Sequence, residues 1–265
     1  MRKLAICIIL IIVTQLSACS SRPNPIQATV NDTDEQLETN LITVKQPSEI
    51  DDDKNNKTIY LTFDDGPSSA TNEILDTLKL FHVKATFFML EPKMRQSPEI
   101  VKRIVEEGHA VALHGVTHNK NRFYRSEQSA LDEMNQAQKT LEKITGISTV
   151  LIRTPYGSVP YLTDSFRKVL SDNGYKLWDW NVDSSDWSIS SKDYIKTTIS
   201  QIQKLEKHDV TPIVLMHDLP ETAKHLTKLL TSLTNDGYVP KKIEADMEPY
   251  NFNCYDRCRR VNVES

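Results

Sequence analysis

The sequence predicts an α/β protein in which strands and helices alternate, and three observations carry that expectation. First, β-type apolar runs recur at 58–63, 84–90, 109–113, 149–153, 175–181, 211–216 and 237–243. Second, helical patterns lie between them. In LDEMNQAQKTLEKITG the residues Leu131, Met134, Ala137, Gln138, Leu141 and Ile144 share one face, and Gly146 stands where a C-cap belongs. SFRKVLSDNG repeats the arrangement, again with a glycine at its end. Third, the strand runs end on a selective set of ionisable residues. Strands that alternate with helices pair in parallel through crossover helices. Seven such units are too regular for an α+β fold and suit either a closed barrel or an open doubly wound sheet. Both architectures collect their chemistry at the C-terminal ends of the strands.

The chain of 265 residues is 38% hydrophobic and 26% charged, which allows one domain of barrel size. Its formal net charge of -4 gives no pointer to nucleic acid, and no nucleic-acid partner is expected. Residues 1–19 begin with Arg2 and Lys3, followed by an apolar run from Leu4 to Val13. That run has the length of a signal-peptide core and falls short of a membrane span. It ends in Leu16-Ser17-Ala18-Cys19, which resembles a bacterial lipobox. The resemblance implies cleavage before Cys19, lipidation of its thiol, and anchoring on the extracytoplasmic face of the cell membrane. Residues 20–56 are polar and acidic, with Pro23, Pro25, Pro47 and the run DDDK. They read as a flexible tether, because such a segment buries too little apolar surface to offset its ordering entropy. A single catalytic domain is expected over 57–243 and a tail over 244–265. The tail carries Cys254 and Cys258, a spacing that permits a disulfide outside the cytoplasm. No CxxC pair exists to build a cysteine zinc site.

The strand ends supply the chemistry. Strand one runs into Asp64-Asp65, strand three into His114-Gly115-Val116-Thr117-His118, and strand four into Arg153-Thr154-Pro155-Tyr156-Gly157. Strand five leads to Asp183-Ser184-Ser185-Asp186-Trp187 and strand six to His217-Asp218. Two histidines four apart, joined by a carboxylate from another strand end, suit Zn²⁺ with a position left open for water, or a non-haem iron. Adjacent carboxylates raise each other's pKa, but a bound cation keeps both ionised. One Asp can then ligate while the other takes a proton. His217, held charged by Asp183 or Asp186, is placed to protonate a leaving amine, and Arg153 to orient a carboxylate.

These residues resemble the polysaccharide deacetylases of carbohydrate esterase family 4, the NodB-homology domain. The likeness runs from about Lys57 to about Lys242 and includes five motifs in order: TFDDGP, HGVTH, RTPYG, DSSDW and LMH. It implies a distorted barrel of about seven strands, a (β/α)7 arrangement. It implies Asp64 as general base, and Asp65, His114 and His118 as ligands of one divalent ion, Zn²⁺ in the first place and Co²⁺ in the second. It further implies Arg153 as an orienting residue, the Tyr156 N–H as oxyanion donor, His217 as general acid with Asp186 as its partner, and Trp187 and Leu215 as pocket walls. The implied reaction hydrolyses the amide bond of an N-acetylated sugar in a glycan polymer. The region VALHGVTHNKNRFY…WDWNVDSSDW looks most like wall-acting enzymes of Gram-positive bacteria, which implies N-acetylglucosamine of peptidoglycan. An exopolysaccharide or a chitin-type oligomer is the alternative substrate, and an inactive wall-binding lipoprotein the alternative role. One position departs from the family. Gly115 stands where Ser or Thr is usual, and the lost hydroxyl predicts a looser loop.

Overall fold

The computed structural model describes residues 57–188 and 191–261. Its first strand, β1 (Lys57–Gly66), shows how the sequence sorts two interiors. Alternate side chains of a strand point to opposite faces. Ile59, Leu61 and Phe63 point outward into a large core shared with the helices. Tyr60, Thr62 and Asp64 point inward. Burying each outward side chain is worth ~1.5–3 kcal/mol. The inward ones need polar partners instead, and Thr62 Oγ1 donates to Val214 O at 2.7 Å.

The chain continues through α1 (Thr71–Leu80), β2 (Thr86–Met89), α2 (Glu91–Gln96), α3 (Pro98–Glu106), β3 (Ala110–Leu113), α4 (Lys120–Phe123), α5 (Glu127–Thr145) and β4 (Leu151–Ile152). It then forms α6 (Asp164–Asp172), β5 (Lys176–Leu177), β6 (Val182–Asp183), α7 (Ser191–Glu206), β7 (Ile213–His217), α8 (Pro220–Asn235) and β8 (Tyr238–Lys241). Helix α5 starts on a capping box between Ser126 and Ser129 and stops at Gly146, whose φ of 75° is the left-handed C-cap expected there.

Every strand pairing is parallel, in the order β5-β4-β3-β2-β1-β7-β6, with β8 also on β1. The sheet curls on itself. Phe88, Ala112, Leu151, Trp178 and Ile213, drawn from across its width, form one inner cluster with Ile243.

The fifth strand differs from expectation. Residues 175–181 read as one strand, but only Lys176–Leu177 of them forms β5, and a separate strand β6 starts just beyond the run at Val182, on the opposite edge of the sheet. Trp178 N–H still donates to Ile152 O of β4, whereas Asn181 N–H donates to Ile213 O of β7. Between them the ladder is broken, because the carbonyls of Trp178 and Asp179 accept from the Arg153 guanidinium instead. Arg153 is fully buried, lies over the Phe88 ring at 4.1 Å, and fills the gap where a closed barrel would continue.

Candidate active site

The C-terminal ends of β1, β3, β6 and β7 meet at one rim. Strand β1 delivers two adjacent carboxylates there by breaking its own register. Asp64 pairs with Phe88 of β2, but the next pairing joins Gly66 to Met89, so Asp65 is the extra residue of a bulge. Its φ of 69° turns it out of the strand. Asp64 therefore keeps its inward direction while Asp65 swings onto the rim, and neighbouring side chains reach the same pocket.

Asp65 Oδ1 lies 3.5 Å from His114 Nε2 and 3.5 Å from His118 Nε2. One donor atom from each of the three residues falls within 4.8 Å of the others. The His114 ring is fixed from behind: Nδ1 lies 2.8 Å from Arg153 O, and since a carbonyl only accepts, Nδ1 carries the proton and Nε2 offers its lone pair. Burial and the facing His114 lower the pKa of His118, against the pull of Asp65 and Asp64, and favour a neutral imidazole. Burial alone would raise the pKa of Asp65, but His114, His118 and His217 hold it below the usual range. Asp65 Oδ1 is buried and takes no hydrogen bond. An orphaned carboxylate oxygen facing two imidazole lone pairs fits a divalent cation, and the two-His, one-carboxylate set leaves positions open.

The opposite side of the pocket is completed by protein groups. Asp64 Oδ1 accepts from Arg153 Nη1 at 2.8 Å, while its Oδ2 stands 3.8 Å from His114 Nε2. Arg153 also donates to Thr62 Oγ1 at 2.7 Å, so both N–H groups of Nη1 are used and Nε and Nη2 each donate to a carbonyl. His217 Nδ1 donates to Asp186 Oδ1 at 2.8 Å, which turns Nε2 toward the cavity. Asp186 Oδ2 accepts from His217 N and Thr222 Oγ1. Of the two aspartates offered by the fourth motif, Asp186 is the one bonded to His217; Asp183 Oδ1 instead accepts from Ser185 N. Burial would lower the pKa of His217, but the Asp186 bond and the charge of Asp64 raise it above the ordinary value.

These groups line a pocket of ≈ 460 Å³, with Tyr156, Trp187 and Leu215 among its walls. Leu215 is nearly buried, whereas Tyr156 and Trp187 stand exposed. Tyr156 has a φ of 67°, its hydroxyl donates to His118 O at 2.9 Å, and its N–H has no protein acceptor among the described residues.

Comparison with known proteins agrees with this arrangement. Residues 51–178 match the family model described as polysaccharide deacetylase. A peptidoglycan-N-acetylglucosamine deacetylase of Bacillus cereus is 37% identical over 188 residues, covering 70% of this chain and 68% of that protein. The chain belongs to the polysaccharide deacetylase family. Its activity class is hydrolysis of N-acetyl amide bonds. The deacetylase is also 47% identical over 195 residues to YheN of Bacillus subtilis (strain 168), across 73% of this chain and 69% of the other. The crystal structure of the polysaccharide deacetylase Bc1974 from Bacillus cereus superimposes with a TM-score of 0.68 at 34% identity, covering 74% of this chain and 97% of that one.

Two residues of this deacetylase's site escaped the sequence reading. Glu133 on α5 accepts from Val116 N, Thr117 N and Thr117 Oγ1, all at 2.9 Å or less. It holds the loop between the two histidines through three hydrogen bonds, none of which needs a side chain at residue 115. Gly115 is required for another reason. Its φ is 86°, and a Cβ there would lie 3.1 Å from Glu133 Oε2 and 3.2 Å from Phe123 Cε2. Asp218 is the second. Nearly buried, it accepts from Ser68 Oγ at 2.7 Å and Thr71 Oγ1 at 2.6 Å, and a Cβ on Gly66 would run into its Oδ2. It pins the turn after Asp65. Its place directly after His217 was visible; its partners, some 150 residues away, were not. Burial raises its pKa despite the Thr71 and Ser68 hydroxyls.

The described part of the tail, residues 244–261, packs on the domain. Cys254 and Cys258 form a disulfide with a Cα–Cα distance of 5.3 Å. The expected signal segment 1–19 and tether 20–56 lie outside the described residues.

Proposed function

We propose that this protein removes the N-acetyl group from N-acetylglucosamine residues of peptidoglycan, releasing acetate and leaving a free amine. One observation carries the reading: three metal-type donors, a carboxylate base and an imidazole acid face one another across a single open pocket. In this reading Asp65, His114 and His118 hold one divalent cation, Zn²⁺ in the first place and Co²⁺ in the second. A divalent cation bound there supplies Lewis acidity to the acetyl carbonyl and lowers the pKa of water. Asp64 acts through Oδ2, its other oxygen being occupied by Arg153, and takes a proton from the attacking water. The Tyr156 N–H donates to the oxygen that gains charge, a bond that strengthens toward the transition state. His217, kept protonated by Asp186, delivers a proton from Nε2 to the departing amine. Trp187 and Leu215 form the walls that admit the sugar ring and its acetyl methyl.

The choice of sugar is supported by the peptidoglycan-N-acetylglucosamine deacetylase relative at 37% identity. Mass spectrometry of muropeptides before and after treatment tests it. Loss of acetyl mass from N-acetylglucosamine is the expected result. Loss from N-acetylmuramic acid, or release of acetate only from an exopolysaccharide or chitin oligomers, would replace the substrate. Absence of acetate from every glycan would favour an inactive wall-binding role.

The leader supports a place for this chemistry. The Leu16–Cys19 lipobox would tether the domain through Cys19 to the outer face of the cell membrane, with 20–56 spanning the gap to the wall. Metabolic labelling with a fatty-acid probe should mark the wild type and not Cys19→Ala. Equal labelling of both would remove the anchor.

A further inference from the structure

The loop that carries Tyr156 is under local strain and is braced from outside. Tyr156 and Gly157 are consecutive left-handed residues, with φ of 67° and 75°, and the first has a bulky side chain. On the inner side Tyr124 Oη donates to Pro155 O at 2.7 Å and to Gly157 O at 2.9 Å. On the outer side stands Asp179, a carboxylate with no exposure, in the gap between β5 and β6. Among the described residues no cationic side chain bonds its carboxylate. Its oxygens accept from Ser158 N at 3.0 Å, Ser158 Oγ at 2.5 Å and Phe252 N at 2.7 Å. Its own N–H donates to Tyr250 O at 2.8 Å. A buried charge is costly unless several donors meet it. Among the described residues these donors come from two segments, the Tyr156 loop and the C-terminal tail.

Further contacts join the same two segments. Arg167 Nη2 donates to Ser158 Oγ at 2.9 Å and to Phe252 O at 3.2 Å. Arg259 N donates to Pro160 O at 2.7 Å, on the far side of the turn closed by the Cys254–Cys258 disulfide. The Phe252 ring lies edge-on to Trp180, with centroids 4.9 Å apart, and Trp180 and Gly157 both line the pocket. The carbonyl of Asp179 also accepts from Arg153, the residue that holds Asp64.

We propose that Asp179 is a positioning residue, and that with Arg167 it uses the tail segment Tyr250–Cys254 as a fixed outer brace that aims the Tyr156 N–H into the pocket. The tail is then part of the catalytic architecture. The proposal rests on the reading of Tyr156 as oxyanion donor, so its test has one arm that does not depend on turnover.

Three full-length variants, Asp179→Asn, Ser158→Ala and Arg167→Met, are compared with the wild type. Asn at 179 turns a donor toward a donor; the Arg167 change lies at a part-exposed site and spares the buried carboxylate if Asp179→Asn fails to fold. Amide hydrogen exchange over residues 154–160 should accelerate in each folded variant. With N-acetylglucosamine oligomers, kcat should fall about tenfold or more while KM stays within about threefold and metal content is unchanged, since a misaimed group lowers transition-state binding more than substrate binding. Unchanged exchange in Arg167→Met and Ser158→Ala overturns the brace. Faster exchange with unchanged kcat overturns its catalytic role. A wild type that releases no acetate from any glycan defeats the functional reading alone, and the exchange arm still decides whether the brace exists.

Discussion

The two sides of the pocket are built on opposite principles. Around Arg153 and Asp186, each catalytic-type group is bonded on every atom except the one that faces the cavity. His217 spends Nδ1 on Asp186, and Asp64 spends Oδ1 on Arg153. Around the two histidines, Asp65 Oδ1 has no hydrogen bond among the described residues, and the Nε2 atoms of His114 and His118 face it at 3.5 Å. A proton-transfer group needs a fixed direction and a tuned pKa, which neighbouring bonds supply. A cation site needs unspent lone pairs, and any protein donor placed there would compete with the ion. The contrast shows which atoms the chain reserves for something it does not itself contain.

Substitutions on each side should therefore fail differently. The largest effect is expected from His114→Ala, which removes a lone pair: bound metal, measured by elemental mass spectrometry, and acetate release should both be lost. A variant that kept its metal would break the comparison. Next comes Asp64→Asn, which removes the proposed base from the bonded side. Turnover should fall by about 10²–10⁴-fold while metal content stays at the wild-type level. If this variant emptied the metal site, the division between Asp64 and Asp65 would be reversed.

Asp186→Asn sharpens the comparison through pH. The raised pKa of His217 depends on its Asp186 bond and the charge of Asp64, working against burial. An acid is competent below its pKa and is lost as pH rises through it. Without the Asp186 charge that pKa falls, so the alkaline limb of the kcat profile should move to lower pH, with kcat down about 10²-fold. An unmoved limb would separate His217 from the acid step. The smallest effect is expected from Glu133→Gln, which touches only the loop behind His118. Metal affinity by competition with a chelating dye should weaken about 10-fold, with kcat at saturating metal nearly intact.

Much of this site was legible in the sequence because its residues sit at strand ends, where the polar break after an apolar run marks them. Asp64-Asp65, His114, His118, Arg153 and His217 were all found in that way. Glu133 was not, because it lies mid-helix among other charged residues and nothing local separates it from a solvated face. Asp179 was hidden for a different reason. It sits inside 175–181, a run that reads as one strand, and its carboxylate is explained only by Ser158 and Phe252, distant in sequence. The break between β5 and β6 was equally invisible, since it depends on the Arg153 guanidinium taking carbonyls that a neighbouring strand would otherwise use.

By itself the sequence determined the alternation of strands and helices, the rim on which the chemistry collects, and the residue types that meet there. These follow from local periodicity and from strand ends, which are properties of short windows. Only the tertiary structure decided the rest: that Asp65 turns out of β1 at a bulge, that Asp186 and not Asp183 bonds His217, and that the tail reaches back to Asp179. Each of these depends on which distant donor satisfies a buried polar atom, and only the folded chain brings those partners together.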